Sequence, residues 1–222
     1  MNTITLAFDV YGTLIDTNGV VSLLEKFIGE KAKAFSATWR DKQLEYSFRR
    51  AAMQNYVTFA VCTSQALDYT CAYYKVSLSD EQKNELMSIY AVLPAFNETK
   101  EALEKFKKRG FRLFAFSNGK KEAVEKLLVN AGIRDLFLDV ISVDDLKIFK
   151  PSPSVYAHFL RSAEVKGEEA WLISSNPFDV TGSISAGMKS AWIQRSSEAI
   201  FDPWEIEPTI KVDSLLELLD KI

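Results

Sequence analysis

Residues 3–8 form a short, apolar, β-prone run that stops at the polar segment Asp9-Val10-Tyr11-Gly12-Thr13-Leu14. Gly12 permits a turn that residues bearing a Cβ resist, so the pattern predicts a strand feeding a polar loop. From Val20 to about Val92 the hydrophobic spacing becomes helical, with hardly any Gly or Pro. Phe35, Trp39, Tyr46 and Met53 follow an i, i+4, i+11, i+18 stripe that reads as the core of this block. Ser79-Asp80-Glu81-Gln82 has the capping-box form and marks a helix start. About four helices are expected across the segment.

After Pro94 the periodicity alternates. A helix is predicted at 100–109 with Gly110 as its stop, then a strand at 111–116 entering Ser117-Asn118-Gly119. A helix at 121–130 ends near Gly132, and residues 140–143 make a short strand before the loop bearing Lys150-Pro151. A helix at about 154–163 follows, and a strand at 171–173 leads into Ser174-Ser175-Asn176-Pro177-Phe178-Asp179. Residues 191–193 give a fifth strand and 214–219 a closing helix. Strands alternating with helices imply an α/β fold whose parallel sheet is covered on both faces. The first strand then belongs with the last part of the chain. Residues 1–15 and 94–222 make the core, and 16–93 a helical cap inserted after the first strand. Ligands of an open parallel sheet bind outside the carboxyl ends of its strands, where Asp9, Ser117, Lys150 and Ser174 all fall. The cleft is expected between core and insertion.

Composition removes several classes of function. The 222 residues are 47% hydrophobic and 26% charged, which supports a substantial core and excludes a disordered or disulfide-stapled chain. Lys plus Arg number 27 against 30 Asp plus Glu, a net charge of -3, so there is no broad basic field for nucleic acid. Cys62 and Cys71 lie nine positions apart in a predicted helix, on opposite sides and roughly 13 Å apart along its axis. They cannot bridge, and two unpaired thiols fit a reducing compartment. The start of the chain lacks a basic segment followed by an apolar stretch, and no apolar run is long enough to span a bilayer. The expectation is a cytoplasmic protein without a membrane partner. His158, the single histidine, is expected on a helix surface.

A lone Asp after a strand usually caps its own loop. Asp9 is a candidate nucleophile because three more polar loops converge on it. Together these loops resemble the motifs of the haloacid dehalogenase superfamily over nearly the whole chain. Asp9-Val10-Tyr11-Gly12-Thr13 looks like the first motif, Ser117-Asn118-Gly119 the second, Lys150-Pro151 the third and Ser174 to Asp179 the fourth. The resemblance implies a Rossmann-like core with an inserted cap, a nucleophilic Asp9, and Lys150 steadying its charge. Phosphatases of that superfamily carry a second Asp two places after the nucleophile as general acid/base, where this chain has Tyr11. They also place acids after the fourth strand as Mg²⁺ ligands, where this chain has Ser174-Ser175-Asn176 and only Asp179.

The chain instead resembles the L-2-haloacid dehalogenases, in Trp39-Arg40, Lys42-Gln43-Leu44-Glu45-Tyr46, Tyr56-Val57-Thr58-Phe59 and Tyr156 as well as the core motifs. That implies hydrolysis of short L-2-haloalkanoic acids to D-2-hydroxyalkanoic acids with no metal and no organic cofactor. A free carboxylate is anionic at pH 7, so Asp9 can attack the halogen-bearing carbon without a dedicated base. Ser117 and loop N–H groups would hold the substrate carboxylate, and Arg40 and Asn118 would receive the halide. The resulting Asp9 ester would be hydrolysed by water, with Asp179 as base and Ser174 and Asn176 positioning it. Thr13, Tyr11 and Tyr156 join the substrate-binding set, and Leu44, Phe59 and Phe178 are candidates for an apolar wall. Plainer readings stand beside these: Arg40 as a solvated surface residue, Lys150 as a strand-end cap, Tyr156, Leu44, Phe59 and Phe178 as core packing. A Mg²⁺ phosphatase and a non-catalytic binder of small carboxylates remain alternatives. A homodimer is expected from the resemblance.

Overall fold

The computed structural model describes residues 4–222. Residue 3, where the sequence pattern begins the first strand, lies outside the described residues. Six strands form one sheet: β1 Thr5–Phe8, β2 Arg112–Ser117, β3 Asp139–Ser142, β4 Ala170–Ser174, β5 Lys189–Ile193 and β6 Ile210–Val212. Their order is β3-β2-β1-β4-β5-β6 and every pairing is parallel. Parallel strands buried on both faces must be apolar throughout, and Leu6, Phe8, Leu113, Ala115, Trp171 and Ile173 fill one side while Ala7, Phe114, Phe116 and Leu172 fill the other. Chain order reverses between β1 and β4, so the crevice outside their carboxyl ends is the natural ligand position of this topology.

Four helices, α1 Asn18–Ile28, α2 Ala32–Ala52, α3 Phe59–Tyr74 and α4 Asp80–Ile89, lie between β1 and β2. Their apolar residues Leu24, Phe35, Trp39, Leu67 and Leu86 share a cluster with one face of the sheet. The capping box starts α4 as expected, Ser79 Oγ accepting from Gln82 N and Gln82 Oε1 from Ser79 N. The chain leaves and re-enters the sheet region through paired backbone. Ile15 bridges Ala95, Asp16 N donates to Pro94 O at 2.8 Å, and Phe96 N donates to Leu14 O at 3.0 Å.

Five helices complete the chain: α5 Thr99–Lys108, α6 Lys121–Asn130, α7 Pro153–Ser162, α8 Pro177–Ser185 and α9 Leu215–Leu219. Gly110, at φ +84°, follows α5 in the left-handed conformation that a residue with a Cβ resists. Three differences from the sequence pattern stand out. β6 and α8 were not anticipated, and Met53 is 62% exposed because α2 ends at Ala52, before the stripe reaches it. Tyr46 is only half-buried, so the buried part of that stripe is Phe35 and Trp39. Cys62 and Cys71 are free and buried, and His158 is half-buried, 3.8 Å from Asp145.

Candidate active site

The last residue of β1 delivers Asp9 to the sheet edge, where Asp9 N donates to Ile173 O of β4 at 2.9 Å. Gly12, at φ +79°, folds the following loop back so that Thr13 faces the same carboxylate. Oδ2 of Asp9 accepts from Asn176 Nδ2 at 2.7 Å, Thr13 Oγ1 at 3.1 Å and Ser174 Oγ at 3.2 Å. Among the described residues Oδ1 accepts from Lys150 Nζ alone, at 3.3 Å. One oxygen is thus saturated with donors while the other keeps lone-pair capacity.

Lys150 is 1% exposed and would be costly to bury as a cation without partners. Besides Asp9 it donates to Asp179 Oδ2 at 2.7 Å and to Phe116 O at 2.9 Å, and its ammonium sits 4.2 Å from the Phe116 ring centroid. Asp179, carried in the first turn of α8, is fully buried. Its second oxygen accepts from Tyr156 OH at 2.8 Å. Burial pushes Asp179 up to about 6, against the Lys150 ammonium and the Tyr156 hydrogen bond, which pull it down. The same burial raises the Tyr156 phenol well above its usual value. Asp179 is therefore a carboxyl group that changes charge near neutral pH.

A cavity of about 410 Å³ lies between the insertion and the sheet edge. Arg40 enters it from α2, and Phe59 and Thr63 enter from α3. Met87 and Tyr90 close it from the α4 side, and Tyr11, Gly119, Lys120 and Asn176 line it from the core. Arg40 Nη2 donates to Asn176 Oδ1 at 3.2 Å, which joins the cap to the amide that holds Asp9. Burial raises Tyr11 to about 12, so its phenol stays neutral at physiological pH, 6.0 Å edge-on to the ring of Tyr90.

The family model described as haloacid dehalogenase-like hydrolase matches residues 5–187. The chain belongs to this family. The haloacid dehalogenase-like hydrolase is 33% identical over 215 residues to an (S)-2-haloacid dehalogenase of Pseudomonas sp. (strain YL), covering 97% of this chain and 92% of that one. It is 36% identical over 217 residues to haloacetate dehalogenase H-2 of Moraxella sp. (strain B), covering 96% of each. Its fold matches the L-2-haloacid dehalogenase of Xanthobacter autotrophicus solved with chloropropionic acid covalently bound, at a TM-score of 0.89 and 28% identity, over 99% of this chain and 98% of that one.

Within this haloacid dehalogenase-like hydrolase, Asp9, Thr13, Lys150, Ser174, Asn176, Asp179, Tyr156 and Arg40 form one connected network, as the sequence motifs anticipate. Other expected contacts differ. Tyr156 is wholly buried against Asp179 and does not line the cavity. Phe178 packs its ring 5.1 Å from Phe48, and Leu44 packs against the core cluster, so the apolar wall is made by Phe59, Met87 and Tyr90 instead. Ser117 accepts from Gly119 N at 3.1 Å and Asn118 Oδ1 accepts from Lys150 N at 3.0 Å. Both shape the loop whose next residues, Gly119 and Lys120, reach the cavity.

Gln43 stands in a motif quoted from the sequence but received no role there, and Arg195 escaped sequence reasoning. Gln43 sits three residues after Arg40 on the same helical face, a spacing that places the two in contact. Arg195 follows β5 at the carboxyl edge of the sheet and donates to Thr13 O at 2.6 Å, behind the loop that follows Asp9. The cavity residues of α4 carried no signal short of the tertiary fold.

Proposed function

We propose that this protein hydrolyses short L-2-haloalkanoic acids to D-2-hydroxyalkanoic acids and halide through an ester on Asp9. The observation that carries the reading is the asymmetric holding of Asp9: three donors on Oδ2, one lysine on Oδ1. Oδ1 attacks C2 from the side opposite the halogen, the carbon–oxygen bond forms, and the carbon–halogen bond breaks with its electron pair leaving on the halide. Arg40, a donor-only cation at the cavity wall, receives it. Displacement inverts C2 once. The substrate carboxylate is held by the Ser117 hydroxyl, whose oxygen is fixed by Gly119 N, and by the N–H of Lys120 at the start of α6.

The ester leaves Oδ2 as its carbonyl oxygen, already facing Thr13, Ser174 and Asn176. When water adds to Cγ, negative charge develops on that oxygen, and the three donors serve as its oxyanion hole. Asp179 accepts one water proton and passes it to the leaving alkoxide, so collapse of the intermediate releases the hydroxy acid with the oxygen that Asp9 contributed, and Asp9 loses the second water proton as it ionises again. The Lys150 ammonium stands between both carboxylates, supplying the positive charge that the site needs without a metal ion. Incubation with L-2-chloropropionate in H₂¹⁸O, with chelator present, should release chloride and D-2-hydroxypropionate in equal amounts. Label should accumulate in the Asp9 carboxylate over multiple turnovers. Folded protein that releases no halide, or turns over with Asp9 unlabelled, overturns this mechanism.

Residues 16–93 are the cap of this enzyme and residues 1–15 and 94–222 its catalytic core, a division supported by the paired crossings at Ile15–Ala95. Two free thiols support a cytoplasmic setting. The stacked, outward-facing Tyr69 and Tyr73 of α3 support a homodimer, which sedimentation would test.

A further inference from the structure

Arg40 is anchored on two sides, and the anchor on the cap side is made of two cavity-lining residues, Gln43 and Thr63, to which the proposed mechanism gives no step. Its Nη1 donates to Gln43 Oε1 at 2.8 Å. Gln43 is 2% exposed and its Nε2 donates in turn to Thr63 Oγ1. Thr63, 4% exposed, donates its own hydroxyl proton to Phe59 O at 2.9 Å, one turn back in α3. The polarity of this chain follows from donor chemistry. A guanidinium only donates, so Gln43 must turn its oxygen to Arg40 and its amide N–H to Thr63. The threonine hydroxyl, with its proton on Phe59 O, offers the lone pair that the amide requires. On the far side, Arg40 demands Asn176 Oδ1, which leaves Asn176 Nδ2 for Asp9.

A buried side-chain amide is costly compared with an apolar residue at the same place, and a cap built only for stability would carry Leu between α2 and α3. We infer that Gln43 and Thr63 are positioning residues that hold the Arg40 guanidinium in register with Asn176 and the halide, fixing the direction of the N–H bonds left over for the leaving atom. The inference rests on the proposed role of Arg40 as halide acceptor. With valine at position 63 the amide N–H loses its acceptor. Gln43 can then rotate and turn a donor toward Arg40, releasing the guanidinium from its orientation.

The test compares Thr63→Val, Thr63→Ser and Gln43→Leu with the wild type for kcat and KM on L-2-chloropropionate, competitive inhibition by bromide, and thermal midpoint. Misplacing a reacting group by about 1 Å costs up to about 100-fold, so Thr63→Val and Gln43→Leu should lower kcat roughly 10- to 100-fold. KM should move far less and bromide should inhibit several-fold more weakly. Thr63→Ser, which keeps the hydroxyl, should return kcat to within a few-fold of wild type. Unchanged kcat and bromide inhibition in folded Thr63→Val overturns the proposal, as does Thr63→Ser failing as badly as Thr63→Val. If the wild type itself releases no halide, the functional reading has failed. Bromide-NMR line broadening still decides the positioning claim there, because Thr63→Val must weaken bromide binding and Thr63→Ser must not.

Discussion

Replacing Tyr156 with phenylalanine removes one hydroxyl and keeps the ring, which packs 6.0 Å edge-on from Phe116. That hydroxyl donates to Asp179 Oδ1 at 2.8 Å, in a site where burial has already raised Asp179 to about 6. A hydrogen bond to a charged group contributes about 1.5–3 kcal/mol, and one pKa unit corresponds to about 1.4 kcal/mol. Losing the bond stabilises the neutral acid relative to the carboxylate, so Asp179 should rise by about one to two units, to about 7–8. The proposed hydrolysis step needs the carboxylate. At pH 7 a base with a pKa of about 6 is about nine-tenths ionised, whereas one at about 7–8 is between about half and a tenth ionised. Tyr156→Phe should therefore slow ester hydrolysis about 2- to 10-fold at pH 7 and recover most of that loss by pH 9.

Chloride release from L-2-chloropropionate, measured from pH 5 to 9, reads the position of the acid limb directly. Rapid mixing adds a second reading. In the proposed mechanism the Asp9 ester forms before Asp179 acts, so the variant should show a burst of about one chloride per site, followed by a slower steady state. An acid limb left where the wild type has it, with a loss equal at all pH values, would show that Tyr156 does not tune the base. A limb displaced to lower pH would contradict the sign of the argument outright.

Three further outcomes follow from the same network. Lys150→Met leaves Asp9 and Asp179 facing each other without their cation, so chloride release should vanish and urea titration should show a loss of about 3–5 kcal/mol. A variant as stable as wild type contradicts this. Asp179 holds its proton more tightly in the folded chain than the usual 3.8, so between about pH 4 and 6 the folded state binds more protons and stability falls as pH rises, by on the order of 3 kcal/mol from this group. Comparing wild type with Asp179→Asn across that window isolates it, and parallel curves refute it. At Gly182 a Cβ would lie 2.5 Å from Tyr156 Oη and 2.6 Å from Pro151 Cβ. Gly182→Ala should push the phenol off Asp179 and reproduce the displaced acid limb of Tyr156→Phe, whereas a wild-type pH profile would show that α7 and α8 accommodate the methyl.

The strand ends were legible because a parallel strand is apolar throughout, and the first polar residue after it stands at the sheet edge. Asp9 follows Thr5–Phe8, and Ser117 and Ser174 close β2 and β4. Sequence therefore located the polar rim of the sheet, and the motif spacing brought Lys150 to it, beside Asp9. β6 was missed because Ile210–Val212 is three residues long and, unlike 171–173 and 191–193, carries a charged, exposed residue, Lys211, at its centre. The apolar wall was misassigned for a related reason. Leu44 and Phe178 belong to the right motifs, but which side of a helix meets the cavity depends on how α2 and α8 pack, and the motif does not contain that information.

α8 shows most sharply where local sequence loses to tertiary demand. Pro177-Phe178-Asp179-Val180-Thr181-Gly182-Ser183-Ile184-Ser185 contains a glycine, β-branched residues and serines, a poor helix on propensity alone. Each weak choice has a structural use. Pro177 suits the first helical position, where its missing N–H costs nothing, and it starts the helix immediately after Asn176. That start places Asp179 in the first turn, aimed at Lys150. Gly182, one turn later, is the residue against which α7 closes, and only its missing Cβ lets Tyr156 come near enough to hold the second oxygen of Asp179. A better helix former at 182 would strengthen α8 in isolation and separate the acid from the phenol that tunes it. The low helix propensity that hid α8 from the sequence pattern is thus the condition for the geometry that sets Asp179 between Lys150 and Tyr156.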